Sequence, residues 1–76
     1  MRELRWRGMF ARKLQEYLDE FNMSQSELAN RIFVTRATVN NYLSGKCMPS
    51  IKSVVNIAMV FDCYVTDLID FGEIIE

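Results

Sequence analysis

An all-α fold is what this 76-residue sequence predicts, and three observations carry that reading. Apolar residues recur at three- and four-residue spacing in several separate segments, with no strand-like alternation between them. Ser, Thr or Pro-Ser stands just ahead of three of these segments, where helix N-caps belong, and a Gly follows one, where a left-handed C-terminal residue belongs. Half of the residues are hydrophobic, enough for one compact core and too many for a disordered chain. The length suits a single domain near the lower limit for an unaided apolar core.

The elements follow in order. Phe10, Leu14, Tyr17, Leu18 and Phe21 recur at offsets 0, 4, 7, 8 and 11, the stripe of an amphipathic first helix whose regular part is expected to begin at Gly8. Ser24 to Glu27 (SQSE) reads as a capping box opening a second helix, with Leu28, Ala29 and Ile32 inward. Thr35 suits the N-cap of a third helix with Val39, Tyr42 and Leu43 inward, and Gly45 suits its left-handed exit. Pro49-Ser50 starts a fourth helix that turns Val54, Ile57, Ala58 and Phe61 inward; after a turn at Asp62, Val65, Leu68 and Ile69 form a short fifth. The expected organisation is a basic extension over 1–8, one helical domain over 9–70, and an apolar and acidic tail over 71–76. The tail either closes the core or packs against a second subunit.

Composition excludes several function classes. The longest apolar run, IAMVF, is far short of the roughly 20 residues a membrane span needs. No charged-then-apolar leader opens the chain, so secretion is not expected and a cytoplasmic location is. Cys47 and Cys63 match no metal spacing and no histidine could complete a site, so neither a metal nor another cofactor is expected, and both thiols read as reduced. Without histidine, an activated nucleophile or convergent carboxylates, general acid–base and metal catalysis lack their parts, and no catalytic residue is assigned.

The formal net charge of −1 hides a strong asymmetry. Residues 1–52 hold all nine Lys and Arg and carry a balance of +4, whereas residues 53–76 hold no base and carry −5. From Leu28 to Phe61 there is no acid at all. Phosphate affinity follows the local field, so such a chain can present a basic face to nucleic acid.

The stretch from Arg31 to Gly45 (RIFVTRATVNNYLSG) places two short helices around a tight corner that carries Phe33. With the third helix turned inward on Val39, Tyr42 and Leu43, its outer face holds Ala37, Asn41 and Ser44, flanked by Thr38 and Asn40, with Arg36 at the N-terminal end. This face is polar, short-chained and free of acids, as a major groove requires. Arg36 can fork onto a guanine edge, Asn41 can bond an adenine at two points, and Ala37 can touch a thymine methyl. Gln25, in the first turn of the second helix, and Lys46, just past the third, are placed for phosphate contacts. An ordinary solvated helix face would carry similar residues.

The run from Met23 to Ile69 resembles the phage-repressor and Cro-like helix-turn-helix family, also called Xre-like regulators. The matching features are Gln25, the ELA at Glu27 to Ala29, Val34-Thr35, Thr38-Val39, Gly45, Pro49-Ser50, Ile57-Ala58 and Leu68. The resemblance implies a five-helix lambda-repressor-like DNA-binding domain, with the helix-turn-helix at about 25–44 and the third helix reading the major groove. It implies a homodimer on a pseudo-palindromic double-stranded DNA operator. Carried over by position, base contacts fall on Arg36, Ala37 and Asn41, and phosphate contacts on Gln25, Thr38, Asn40 and Lys46.

Four positions depart from the family pattern. Phe33 stands where Gly is usual, and the corner is expected either to avoid left-handed geometry by lengthening the second helix or to find apolar cover for the ring. Leu18 and Leu43 replace an Arg–Glu pair that some members bury, a change that removes the desolvation cost of two charges. Tyr64 replaces the small hydroxyl residue that often caps the last helix. The N-terminal MRELRWRG is left as either an arm on phosphates or in a minor groove, or an extra helical turn.

The functional expectation is a sequence-specific transcriptional regulator, a small dimeric repressor of phage or mobile-element type that acts by occupying its operator. Control through protein level, proteolysis or a regulatory protein partner is expected. An antitoxin-type autoregulator and a protein-interaction module on a helix-turn-helix scaffold are the alternatives.

Overall fold

The computed structural model describes residues 2–69, with side chains from residue 9 onward. Five α-helices follow one another: α1 (Arg2–Glu20), α2 (Gln25–Arg31), α3 (Arg36–Ser44), α4 (Ile51–Phe61) and α5 (Val65–Leu68). There is no strand among the described residues. α1 runs without a break through Gly8, so the glycine does not mark its beginning. The side chains of the basic extension and all of the 71–76 tail lie outside the described residues.

Local chemistry sets the helix starts. Ser24 Oγ accepts from Glu27 N–H at 3.0 Å, Thr35 Oγ1 from Thr38 N–H at 3.1 Å and Ser50 Oγ from Ser53 N–H at 3.1 Å. Each satisfies one orphan amide of a first turn. The expected capping box at α2 is made on one side only, because the Glu27 carboxylate turns to Arg31 Nη2 at 2.9 Å. At α5 the roles invert. Tyr64 is the N-cap residue but its long side chain makes no cap bond, and Asp67 Oδ2 accepts from Tyr64 N–H at 3.0 Å.

The helix ends repeat one device. Asn22, Phe33, Gly45 and Asp62 all take positive φ, at 53°, 62°, 77° and 54°. After each, an N–H donates to the carbonyl five residues back: Met23 to Leu18, Val34 to Ala29, Lys46 to Asn41 and Cys63 to Ala58, at 2.9 to 3.0 Å. This is the six-to-one bond of a Schellman motif, which needs a left-handed residue before the donor. Phe33 therefore takes neither expected escape: α2 does not lengthen, and the ring is 91% exposed.

The core gathers Phe10, Leu14 and Leu18 of α1, Leu28 and Ala29 of α2 with Ile32 beyond it, Val39 and Tyr42 of α3, four residues of α4, and Leu68 with Ile69. Among the described residues no polar or charged side chain is buried. Each fully buried Leu, Ile or Phe contributes about 1.5–3 kcal/mol. Three inward expectations shift outward, and one of them, Tyr17, is half-buried. Phe21 is 47% exposed at the rim, where its ring meets Phe61 edge-on at 5.1 Å, and Leu43 is half-buried. Leu18 is buried and joins the core. Phe10 meets Tyr42 edge-on at 6.1 Å, so α1 supports α3 from behind.

Candidate nucleic-acid interface

α3 is held by its inner side and by both ends. Val39 and Tyr42 anchor it in the core, Thr35 caps its start, and Gly45 closes its end by donating to Tyr42 O at 3.2 Å. Its remaining surface is therefore presented at a defined angle beside the start of α2.

Arg36, Ala37 and Asn40 are exposed and share with Gln25 a shallow open cleft of about 400 Å³. Gln25 reaches it from the first position of α2; the other three come from the first turns of α3. The expected base-reading pair Arg36 and Ala37 thus sits beside the expected phosphate-binding pair Gln25 and Asn40. A side-chain amide from one helix and a guanidinium from the next can together meet a phosphate oxygen and a base edge.

The other three residues lie outside the cleft. Asn41, one turn beyond Ala37, is half-buried, and its carbonyl accepts from Lys46 N–H at 3.0 Å and Ser44 Oγ at 3.2 Å. These bonds occupy its backbone carbonyl and not its side-chain amide. Thr38 is half-buried with its hydroxyl 3.0 Å from that of Thr35, so its hydroxyl already serves the cap. Lys46 is exposed just past the left-handed Gly45, at the opposite end of α3 from the cleft.

The field over this surface is set by what is missing between Leu28 and Phe61, where the chain has no acid. Glu27, the nearest acid before that stretch, pairs with Arg31 across one helical turn, and both side chains are about half exposed. Such a pair is worth little to stability, but it offsets the one carboxylate on α2. Two features were not anticipated: the Thr35–Thr38 hydroxyl contact and the cleft that Gln25 and Asn40 line from two helices. The first has a signal in the three-residue spacing of the threonines. The second has none, because it depends on how α2 and α3 cross.

Among the described residues there is no group of three His, Cys, Asp or Glu side chains able to hold a metal ion, and no helix long and apolar enough to cross a membrane.

Comparison with known proteins gives a consistent result. A family described as helix-turn-helix matches residues 14–68. An uncharacterized HTH-type transcriptional regulator of Archaeoglobus fulgidus is 39% identical over 61 residues, covering 80% of this chain and 86% of that protein. The HTH-type transcriptional activator BcrR of Enterococcus faecalis is 30% identical over 66 residues, covering 87% of this chain but 32% of BcrR. Among solved structures, the SOS-response transcriptional repressor LexA from Eubacterium rectale superposes with a TM-score of 0.83 at 27% identity, over 87% of this chain and 70% of that one.

Proposed function

The chain belongs to the helix-turn-helix family of Xre and lambda-repressor type and is a transcriptional regulator with a DNA-binding domain of that kind; we propose that it reads a specific operator through α3. In this reading Arg36, Ala37 and Asn41 contact base edges, while Gln25, Asn40 and Lys46 contact phosphates. Thr38 contributes through its position rather than a free hydroxyl. The observation that carries the assignment is the acid-free cleft in which Gln25, Arg36, Ala37 and Asn40 converge.

The regulator acts at the nucleoid in the cytoplasm, as a homodimer on two half-sites whose symmetry matches its own. Occupancy of a promoter-overlapping operator represses without any further part. Of the relatives above, BcrR carries the name of an activator and LexA that of a repressor, so the sign belongs in the test.

The experiment is selection of bound sequences from a random double-stranded DNA pool, followed by a reporter carrying the selected site. Enrichment of one dyad-symmetric sequence and a fall in reporter output are expected. Affinity should fall with log salt at a slope of about −0.9 per phosphate contact. A pool that emerges unenriched, with binding indifferent to salt, rules the reading out.

A further inference from the structure

α4 is apolar on two sides. It buries Val54, Ile57, Ala58 and Phe61 on one, while Ile51, Val55 and Met59 form an exposed ridge on the other at four-residue spacing. A helix apolar around most of its circumference belongs between two partners rather than on a surface. Among the described residues only one side of it is covered, and Ile51, Val55 and Met59 are exposed.

The charges at the ends of α4 complement a second copy of the same helix. Lys52 stands in its first turn and Asp62 at its C-cap, and the helix has no acid in its first turn and no base in its last. Both charges oppose the dipole of their own helix, which favours anions at the start and cations at the end. In an antiparallel pair of identical helices each charge lies beside the opposite end of the neighbour, which offsets the unfavourable interaction with its own helix. Lys52 and Asp62 share the midpoint Ile57 with Val55 and Met59. One two-fold axis at that level therefore serves both pairs, as an isologous contact requires.

We propose that the exposed α4 ridge is a self-association surface for a second copy of this chain. α4 packs antiparallel on its counterpart, Val55 against Met59 of the partner subunit and Lys52 against Asp62 of the partner subunit. The ridges formed by residues four apart interdigitate as in other helix pairs. The proposal rests on the dimeric part of the reading above and on none of its base-contact assignments.

Sedimentation equilibrium of the full chain tests it, from about 10 μM to about 1 mM, the range of weak reversible association. Wild-type chain is expected to dimerise reversibly. Met59→Glu, at a position 73% exposed, should keep the same helical signal and, at concentrations where the wild type is monomeric, the same melting curve, yet raise the dimer dissociation constant about tenfold or more. Lys52→Asp and Asp62→Lys should each weaken the dimer about 2- to 30-fold, and the double exchange should restore it. A wild-type chain monomeric throughout overturns the proposal. So does a dimer indifferent to Met59→Glu, or a double exchange no better than the single ones.

DNA selection with Met59→Glu separates this from the operator reading. The half-site should persist and the dyad should be lost. A chain that dimerises as described while enriching no DNA keeps the interface and removes the operator.

Discussion

Phe33 at the entrance to α3 and Gly45 at its exit make the same left-handed turn, at φ of 62° and 77°. Each is followed by a residue whose N–H donates to the carbonyl five back at 3.0 Å. At Gly45 the geometry costs little, since glycine lacks the Cβ that crowds the backbone. At Phe33 it costs about 1–2 kcal/mol, and a ring 91% exposed returns almost none of it. The Phe33 corner persists because its neighbours hold it: Ile32 is buried before it and Val34 is half-buried after it. One corner is made by the freedom of its own residue, the other by the packing of the residues beside it.

If both corners serve to hold α3, the largest losses of function must come from α3 itself. Asn41→Ala should weaken operator binding by about 1–3 kcal/mol and relax preference at one base position, measured by repeating the selection with the variant. Equal weakening on every sequence would remove Asn41 from the reading set.

Gly45→Ala isolates the cost of the exit corner, since an added Cβ meets nothing within 4 Å and only the backbone objects. A loss of about 1 kcal/mol in urea unfolding is expected, after allowing for the smaller entropy of the unfolded alanine chain. Phe33→Gly is the converse, and a gain of about 0.5–1 kcal/mol with unchanged base preference is expected. A stability loss there would show that the ring does more than its exposure suggests. A changed preference would show that the corner aims α3.

Lys46→Ala keeps the backbone bond that closes the exit corner and removes only the charge. The salt slope of binding should flatten by about one unit, uniformly across sequences; an unchanged slope takes Lys46 out of the phosphate set.

The smallest effect at neutral pH lies away from both corners. The Tyr17 hydroxyl is pushed up to about 12, first by its hydrogen bond to Cys63, then by burial and nearby carboxylates. Burial likewise pushes the Cys63 thiol up. The folded chain keeps protons that the unfolded chain releases, so this stability is complete below the ordinary tyrosine range. It is lost as pH rises from about 10 towards about 12. Tyr17→Phe should flatten the alkaline decline of the urea midpoint; an identical decline would place its origin elsewhere.

Much of the fold was legible because it rests on local chemistry. Ser24, Thr35 and Ser50 cap the helices they precede, as short hydroxyl side chains three residues from an orphan amide should. Gly45 marks a helix end for an equally local reason. Less legible were positions where two local options compete. Glu27 could close a capping box or pair with Arg31, and it pairs. Phe21 continues the apolar stripe of α1 but lies past its last turn, where the chain turns away and leaves the ring at the rim.

The class of fold, the number and order of helices, and the acid-free stretch around α3 were legible in the residues alone. Those depend on periodicity, capping and charge, all written in residues close together along the chain. That Phe33 bends left-handed, that Gln25 and Asn40 share a cleft, and that the α4 ridge is exposed among the described residues came from the packing of the helices. These depend on the angles at which whole helices cross, and a crossing angle is set by side chains distant in sequence that compete for one core.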